Sequence, residues 1–137
     1  MPYAAITYKV KDGYEDEIAE IFSRFRRAGS PVLHDEDGNE VGKLLGTGVF
    51  IQGATMVRFI HYSGGTLEDI ARHMAGQSGV HEIEEALKPY LSEERDTATP
   101  EAFRRYFARS TMRCISQLSI DTFVPHAVGG APTTSGA

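Results

Sequence analysis

The sequence predicts a two-layer α+β fold, one antiparallel sheet with helices on one face. Three observations carry the prediction. Apolar, β-prone stretches alternate with segments whose apolar residues recur every three or four positions. These segments run strand, helix, strand, strand, helix, strand, with an extra helix before the last strand. The two middle strands are separated only by Gly53-Ala54, which is a hairpin connection.

Residues 3–10 are apolar or β-prone and end at the turn Lys11-Asp12-Gly13, so they are expected to form the first strand. A helix is predicted over 14–28, because Ile18, Ile21, Phe22 and Phe25 fall at i, i+3, i+4 and i+7. Glu15, Asp16 and Glu17 in its first turn and Arg24, Arg26 and Arg27 in its last complement the helix dipole. Gly29-Ser30-Pro31 ends it, and 32–42 reads as a connector.

Strands follow at 44–52 and 55–62, and Ser63-Gly64-Gly65 breaks the sheet. Thr66, with Asp69 three residues on, predicts a capped helix over 67–75. A second short helix is expected over 80–87, then a polar loop over 92–99. Thr99-Pro100-Glu101 opens a helix over 101–109 that buries Phe103, Tyr106 and Phe107. Residues 111–120 read as the last strand. Residues 127–137 are small and polar, which predicts a disordered tail behind a domain of 1–126.

This order is the split βαβ pattern of a ferredoxin-like unit. In the strand over 55–62 both alternating sets are apolar, Met56 and Ile60 on one side and Val57 and Phe59 on the other. A sheet apolar on both faces needs a second cover. A second copy of the chain supplies the simplest one, so the expectation is a homodimer, a dimeric α+β barrel.

Composition narrows the partners. A net charge of −5 argues against nucleic acid, whose binders show a basic face. No apolar run reaches membrane-spanning length, so no membrane partner is expected. The single cysteine, Cys114, fits a reducing compartment, and a cytoplasmic location is the expectation. Cys114 reads as a thiol packed within the last strand.

Few residues suggest chemistry. The acidic stretch from Asp35 to Glu40 lacks the spacing of a calcium loop, and Asp37-Gly38 reads as a turn. The five histidines lack the spacing of a zinc site, and the chain has no nucleotide fingerprint. No metal and no cofactor are therefore expected. His61 lies at the end of a core strand beside the Gly64-Gly65 break, and His73 lies on a helix between Ile70 and Met74. Arg58 stands mid-strand in Met56-Val57-Arg58-Phe59-Ile60, where a buried cation needs an anionic partner from the protein or a ligand. Strand alternation puts His61 on the side of Val57 and Phe59 and Arg58 on the side of Met56 and Ile60. The two share a cavity only if the strand twists or bulges, or if one acts across a dimer interface. Otherwise Arg58 is structural and His73 is the natural partner of His61.

Several stretches, in order, resemble a known family. They are the run from Ala4 to Gly13, Ser30-Pro31-Val32-Leu33 leading to Asp35-Glu36-Asp37-Gly38, and Met56-Val57-Arg58. Ala71-Arg72-His73-Met74-Ala75, Pro89-Tyr90-Leu91 and Ser110-Thr111-Met112-Arg113-Cys114 complete the set. Across residues 3–120 they look like the SchA/CurD-like proteins that accompany type II polyketide synthases making spore pigments and aromatic antibiotics. More distantly, residues 80–91 are similar to a helix of tetracenomycin-type cyclases, which share a dimeric α+β barrel with cofactor-free antibiotic-biosynthesis monooxygenases.

The resemblance implies an aromatic polyketide as the small-molecule partner and a tailoring role, foremost as a cyclase or aromatase. A cofactor-free monooxygenase acting on an anthrone-like ring is the alternative. A noncatalytic subunit that binds polyketide synthase components is the other. Either enzyme needs an acid/base and an anion-stabilising group, for which His61, His73 and Arg58 are the candidates from the reading of the residues.

Overall fold

The computed structural model describes residues 1–24 and 30–120. The predicted end of the first helix, with Phe25, Arg26 and Arg27, lies outside the described residues, as do the Gly29 turn and the 127–137 tail. Four strands, β1 (Tyr3–Lys9), β2 (Val32–His34), β3 (Glu40–Gln52) and β4 (Thr55–Gly64), form one antiparallel sheet in the order β1-β4-β3-β2. The helices are α1 (Glu15–Ser23), α2 (Leu67–Ala75), α3 (Ser78–Leu87) and α4 (Pro100–Ser110), with a 3-10 turn at Lys88–Tyr90. The α+β class is as expected.

The core lies between the sheet and the helices. Ala4, Ile6 and Tyr8 of β1 and Met56, Ile60 and Tyr62 of β4 meet Ile70 and Met74 of α2, Leu87 of α3, and Phe103 and Phe107 of α4. Ile6, Met56, Ile60, Ile70 and Leu87 are at most 1% exposed. Each such side chain stabilises the fold by about 1.5–3 kcal/mol through burial. Thr66 and Asp69 form the expected capping box: Thr66 N–H donates to the Asp69 carboxylate at 2.8 Å, and Asp69 N–H to the Thr66 hydroxyl at 3.2 Å. Gly64 and Gly65 take φ of +71° and +78°, which is why the sheet breaks at these residues.

Three segments differ from expectation. The 32–42 connector contains β2 and the start of β3, joined by the acidic turn. The Asp35 carboxylate there accepts the N–H groups of Asp37 and Asn39, each at 2.9 Å, and Gly38 takes φ of +83°. The 92–99 loop is not wholly polar and solvated. Its Arg95 is buried, bonded to Glu84 through two contacts of 3.1 and 3.2 Å and held 4.3 Å from the ring centroids of both Tyr8 and Tyr106.

The third difference is the predicted last strand. Thr111 makes an isolated bridge to Ile6, and Met112 N–H donates to the Ala5 carbonyl at 2.8 Å. Beyond Met112 the chain forms no strand within the described residues. Gln117 returns to β1, its side-chain carbonyl accepting the Tyr3 N–H at 3.0 Å. Ser92 N–H reaches the Lys9 carbonyl at the other end. Discrete contacts thus occupy the edge that a strand would have paired. Cys114 is consequently exposed rather than packed, and Ile115 is 83% exposed.

Candidate functional site

The sheet face away from the helices carries an aromatic row. Tyr3 of β1 pairs with His61 of β4, and their rings stack at 4.3 Å with an interplanar angle of 16°. Phe59 meets Tyr3 edge-on at 6.1 Å and Phe50 edge-on at 6.3 Å. Beside this row β3 has no side chain at Gly46, which pairs with His61, or at Gly48, which pairs with Phe59; open space lies over Gly46, while the Phe50 ring lies over Gly48. The result is a groove of about 410 Å³ that includes Tyr3, Gly46, Gly48, Phe50, Phe59 and His61. It adjoins a second one of about 640 Å³ that runs under residues 112–118 and shares Tyr3, Phe50 and Phe59. A β-bulge at Leu45 sets this register, since Leu44 pairs with Tyr62 and Gly46 with His61.

His61 lies in that groove. Its Nε2 is sealed by protein atoms and has no hydrogen-bond partner among the described residues. Proton exchange from this ring therefore runs through Nδ1 or follows a rotation of the ring.

Arg58 faces the other way. The bulge lies in β3, so alternation along β4 is unbroken, and Arg58 points with Met56 and Ile60 into the helix-covered core, 6% exposed. Its Nε donates to the Tyr8 hydroxyl at 3.4 Å, and its guanidinium lies 5.8 Å from the Phe22 ring. Among the described residues its contacts are thus a phenol and a ring, and no carboxylate of the chain pairs with it.

His73 lies on α2, on the helix side of the sheet. Burial holds its imidazole below the ordinary value, the nearby His34 lowers it further, and a hydrogen bond with the Ser30 backbone opposes both. Its Nε2 is also buried without a partner among the described residues. The structure therefore brings none of His61, His73 and Arg58 together. Strand alternation had already separated Arg58 from His61.

Reasoning from the sequence missed a larger cavity, of about 950 Å³. It lies between the start of β1, α2, α4 and residues 111–117. Its walls include Tyr62 and Phe107, and Arg104, Arg105 and Arg113 also line it. Burial pushes the Tyr62 hydroxyl above its ordinary value. The apolar stripe of α4 is visible in sequence, but the cavity depends on how α4 packs against α2, β1 and residues 111–117, which no local pattern shows.

No helix among the described residues is long and apolar enough to cross a membrane. Comparison with known proteins gives a consistent picture. The chain is 39% identical over 111 residues to a 42.8 kDa protein in the whiE locus of Streptomyces coelicolor, covering 81% of this chain and 26% of that protein. It is 31% identical over 132 residues to "Polyketide synthase CurD" of Streptomyces cyaneus, covering 96% of this chain and 32% of that protein. It is 32% identical over 111 residues to "Protein SchA" of Streptomyces halstedii, covering 81% and 27%. The chain thus spans about a quarter to a third of the length of these relatives. No solved structure gives a significant match. The SchA/CurD like domain profile matches residues 1–120, the same span that carries the sheet, the helices and both sides of the β1 edge, and the chain belongs to that family.

Proposed function

We propose that this domain acts on an aromatic polyketide intermediate, as a cyclase working on the outer face of the sheet. The observation that carries the reading is Gly46, paired with His61, where β3 has no side chain and open space lies over its backbone. The bare backbone at Gly46 gives a planar ring a flat floor, and Tyr3, Phe59 and Phe50, whose ring lies over Gly48, give it aromatic walls. One imidazole, His61, stands among them. The name of the relative from Streptomyces cyaneus, a polyketide synthase, supports a polyketide as the substrate.

His61 would take a proton from a methylene between two carbonyls of a poly-β-keto chain. The enolate carbon then attacks a ketone carbon further along, forming the new C–C bond, and the ketone oxygen receives the electron pair. The imidazolium returns its proton to that alkoxide. Loss of the hydroxyl with a neighbouring proton, as water, gives a ring enone, and enolisation of the remaining ring ketones makes it aromatic. The groove contributes mainly by holding the chain folded, and the histidine by proton transfer. We assign Arg58 and His73, on the helix side, to the fold.

We also infer a homodimer in which the outer faces of two sheets meet. Phe50 and Phe59 are 65% and 45% exposed on that face, and a second copy would cover them and exclude water from the groove. The test adds the purified protein to a reconstituted minimal aromatic polyketide synthase, with and without oxygen. Cyclised product formed without oxygen supports the cyclase. A quinone formed only with oxygen supports the monooxygenase. An unchanged product profile leaves the role of a noncatalytic subunit of the synthase.

A further inference from the structure

We propose that the 950 Å³ cavity between α2, α4 and the start of β1 is a separate binding site for an amphipathic carboxylate, a molecule with an apolar body and one acidic end. The cavity opens on the helix side of the sheet and the His61 groove on the outer side, since Tyr62 and His61 are successive residues of β4 and point to opposite faces; the two meet at Tyr3, on the β1 edge. Its volume suits a small-molecule ligand. Its walls are largely apolar: Leu67 and Ala71 from α2, Phe107 and Ala108 from α4, and Met112. An apolar body would be desolvated against them.

The acidic end follows from charge. Arg104, Arg105 and Arg113 line this cavity beside Glu68 and Glu101, an excess of positive charge in a chain whose net charge is −5. Arg104 is held by Glu68 at 3.1 Å. Arg105 and Arg113 are exposed and make no ion pair among the described residues, so both are free to meet a carboxylate at the mouth. Tyr62 adds a buried phenol, a donor for a carbonyl or hydroxyl on the body of the ligand.

Calorimetric titration of the full chain tests this, with anthracene-2-carboxylate as a rigid probe and dodecanoate as a flexible one. At least one should bind, and the ratio of affinities identifies the body as flat or flexible. Ala108→Trp places a large ring in the cavity from an exposed helix position, and should weaken binding at least tenfold. Arg105→Gln with Arg113→Gln, both at exposed positions, should weaken it roughly three- to tenfold and reduce its salt dependence. Gly46→Leu, which fills the outer groove instead, should leave binding unchanged. Thermal melts confirm that each variant is folded. The proposal is overturned if neither probe binds, or if the neutral anthracene-2-carboxamide binds as tightly as the acid. It is also overturned if Gly46→Leu abolishes binding while Ala108→Trp leaves it intact. Because the outer groove is blocked by its own variant, failure here leaves the cyclase reading standing, and the reverse also holds.

Discussion

Replacing Glu84 with glutamine should cost this small domain a large part of its stability. The Arg95 and Glu84 side chains are 4% and 5% exposed, and two hydrogen bonds join them. Glu84→Gln leaves the guanidinium buried with no countercharge. Removing one partner of a buried pair costs about 3–5 kcal/mol, against a total of about 5–15 kcal/mol for a typical domain. The rings of Tyr8 and Tyr106, each 4.3 Å from the cation, keep some of its stabilisation and place the loss toward the lower end. With a urea slope of about 2 kcal/mol per molar, the unfolding midpoint should fall by roughly 1.5–2 M. The double variant Glu84→Leu/Arg95→Met removes both charges and should recover most of the loss. Urea unfolding of the parent and both variants decides the matter. A loss below about 1 kcal/mol in Glu84→Gln, or a double variant as unstable as the single, would refute the reasoning.

Three other outcomes are expected. A Cβ on Gly42 would collide with the carbonyls of Ser63 and Gly64, whereas one on Gly46 meets open space. Gly42→Ala should therefore destabilise by about 2 kcal/mol or more and Gly46→Ala by under about 0.5 kcal/mol, and equal melting temperatures for the two would contradict this. His73 has a folded pKa below its ordinary value, so as pH falls the unfolded state takes up the proton first. Its contribution to stability is full above about pH 6.5 and is lost as pH falls through the lower folded value, so His73→Gln should flatten the acid side of the stability profile. An identical slope in parent and variant counts against that assignment. Light scattering at micromolar concentration should give twice the chain mass, and a clean 15.0 kDa species would end the homodimer proposal.

The elements legible in the sequence were those with enough length to show a period or a distinct punctuation mark. The β3–β4 hairpin, α2 with its Thr66 cap and α4 with Pro100 at its start fall close to the predicted positions. β2 was not legible, because three residues cannot display alternation. The strand predicted over 111–120 shows the opposite failure. Met112, Cys114, Ile115 and Leu118 have strand-forming composition, but only Thr111 bridges β1. Pairing is a tertiary property that composition does not encode. The buried Arg95 was hidden by its polar neighbours, and its partners Tyr8, Glu84 and Tyr106 come from three distant elements. The opposition of Arg58 and His61 was legible, since it needs only strand alternation. The pairing of Gly46 with His61 was not, because it depends on the bulge at Leu45.

The most direct test of the proposed site is the rate of cyclised product formation by His61→Ala in the reconstituted synthase, read beside its melting temperature. Arg58→Met and His73→Ala, normalised to folded protein, serve as controls on the helix side of the sheet. The account predicts a loss of about a hundredfold or more for His61→Ala, with little change in melting, and both controls within about threefold of the parent. A His61→Ala variant that itself stays within about threefold of the parent would contradict it.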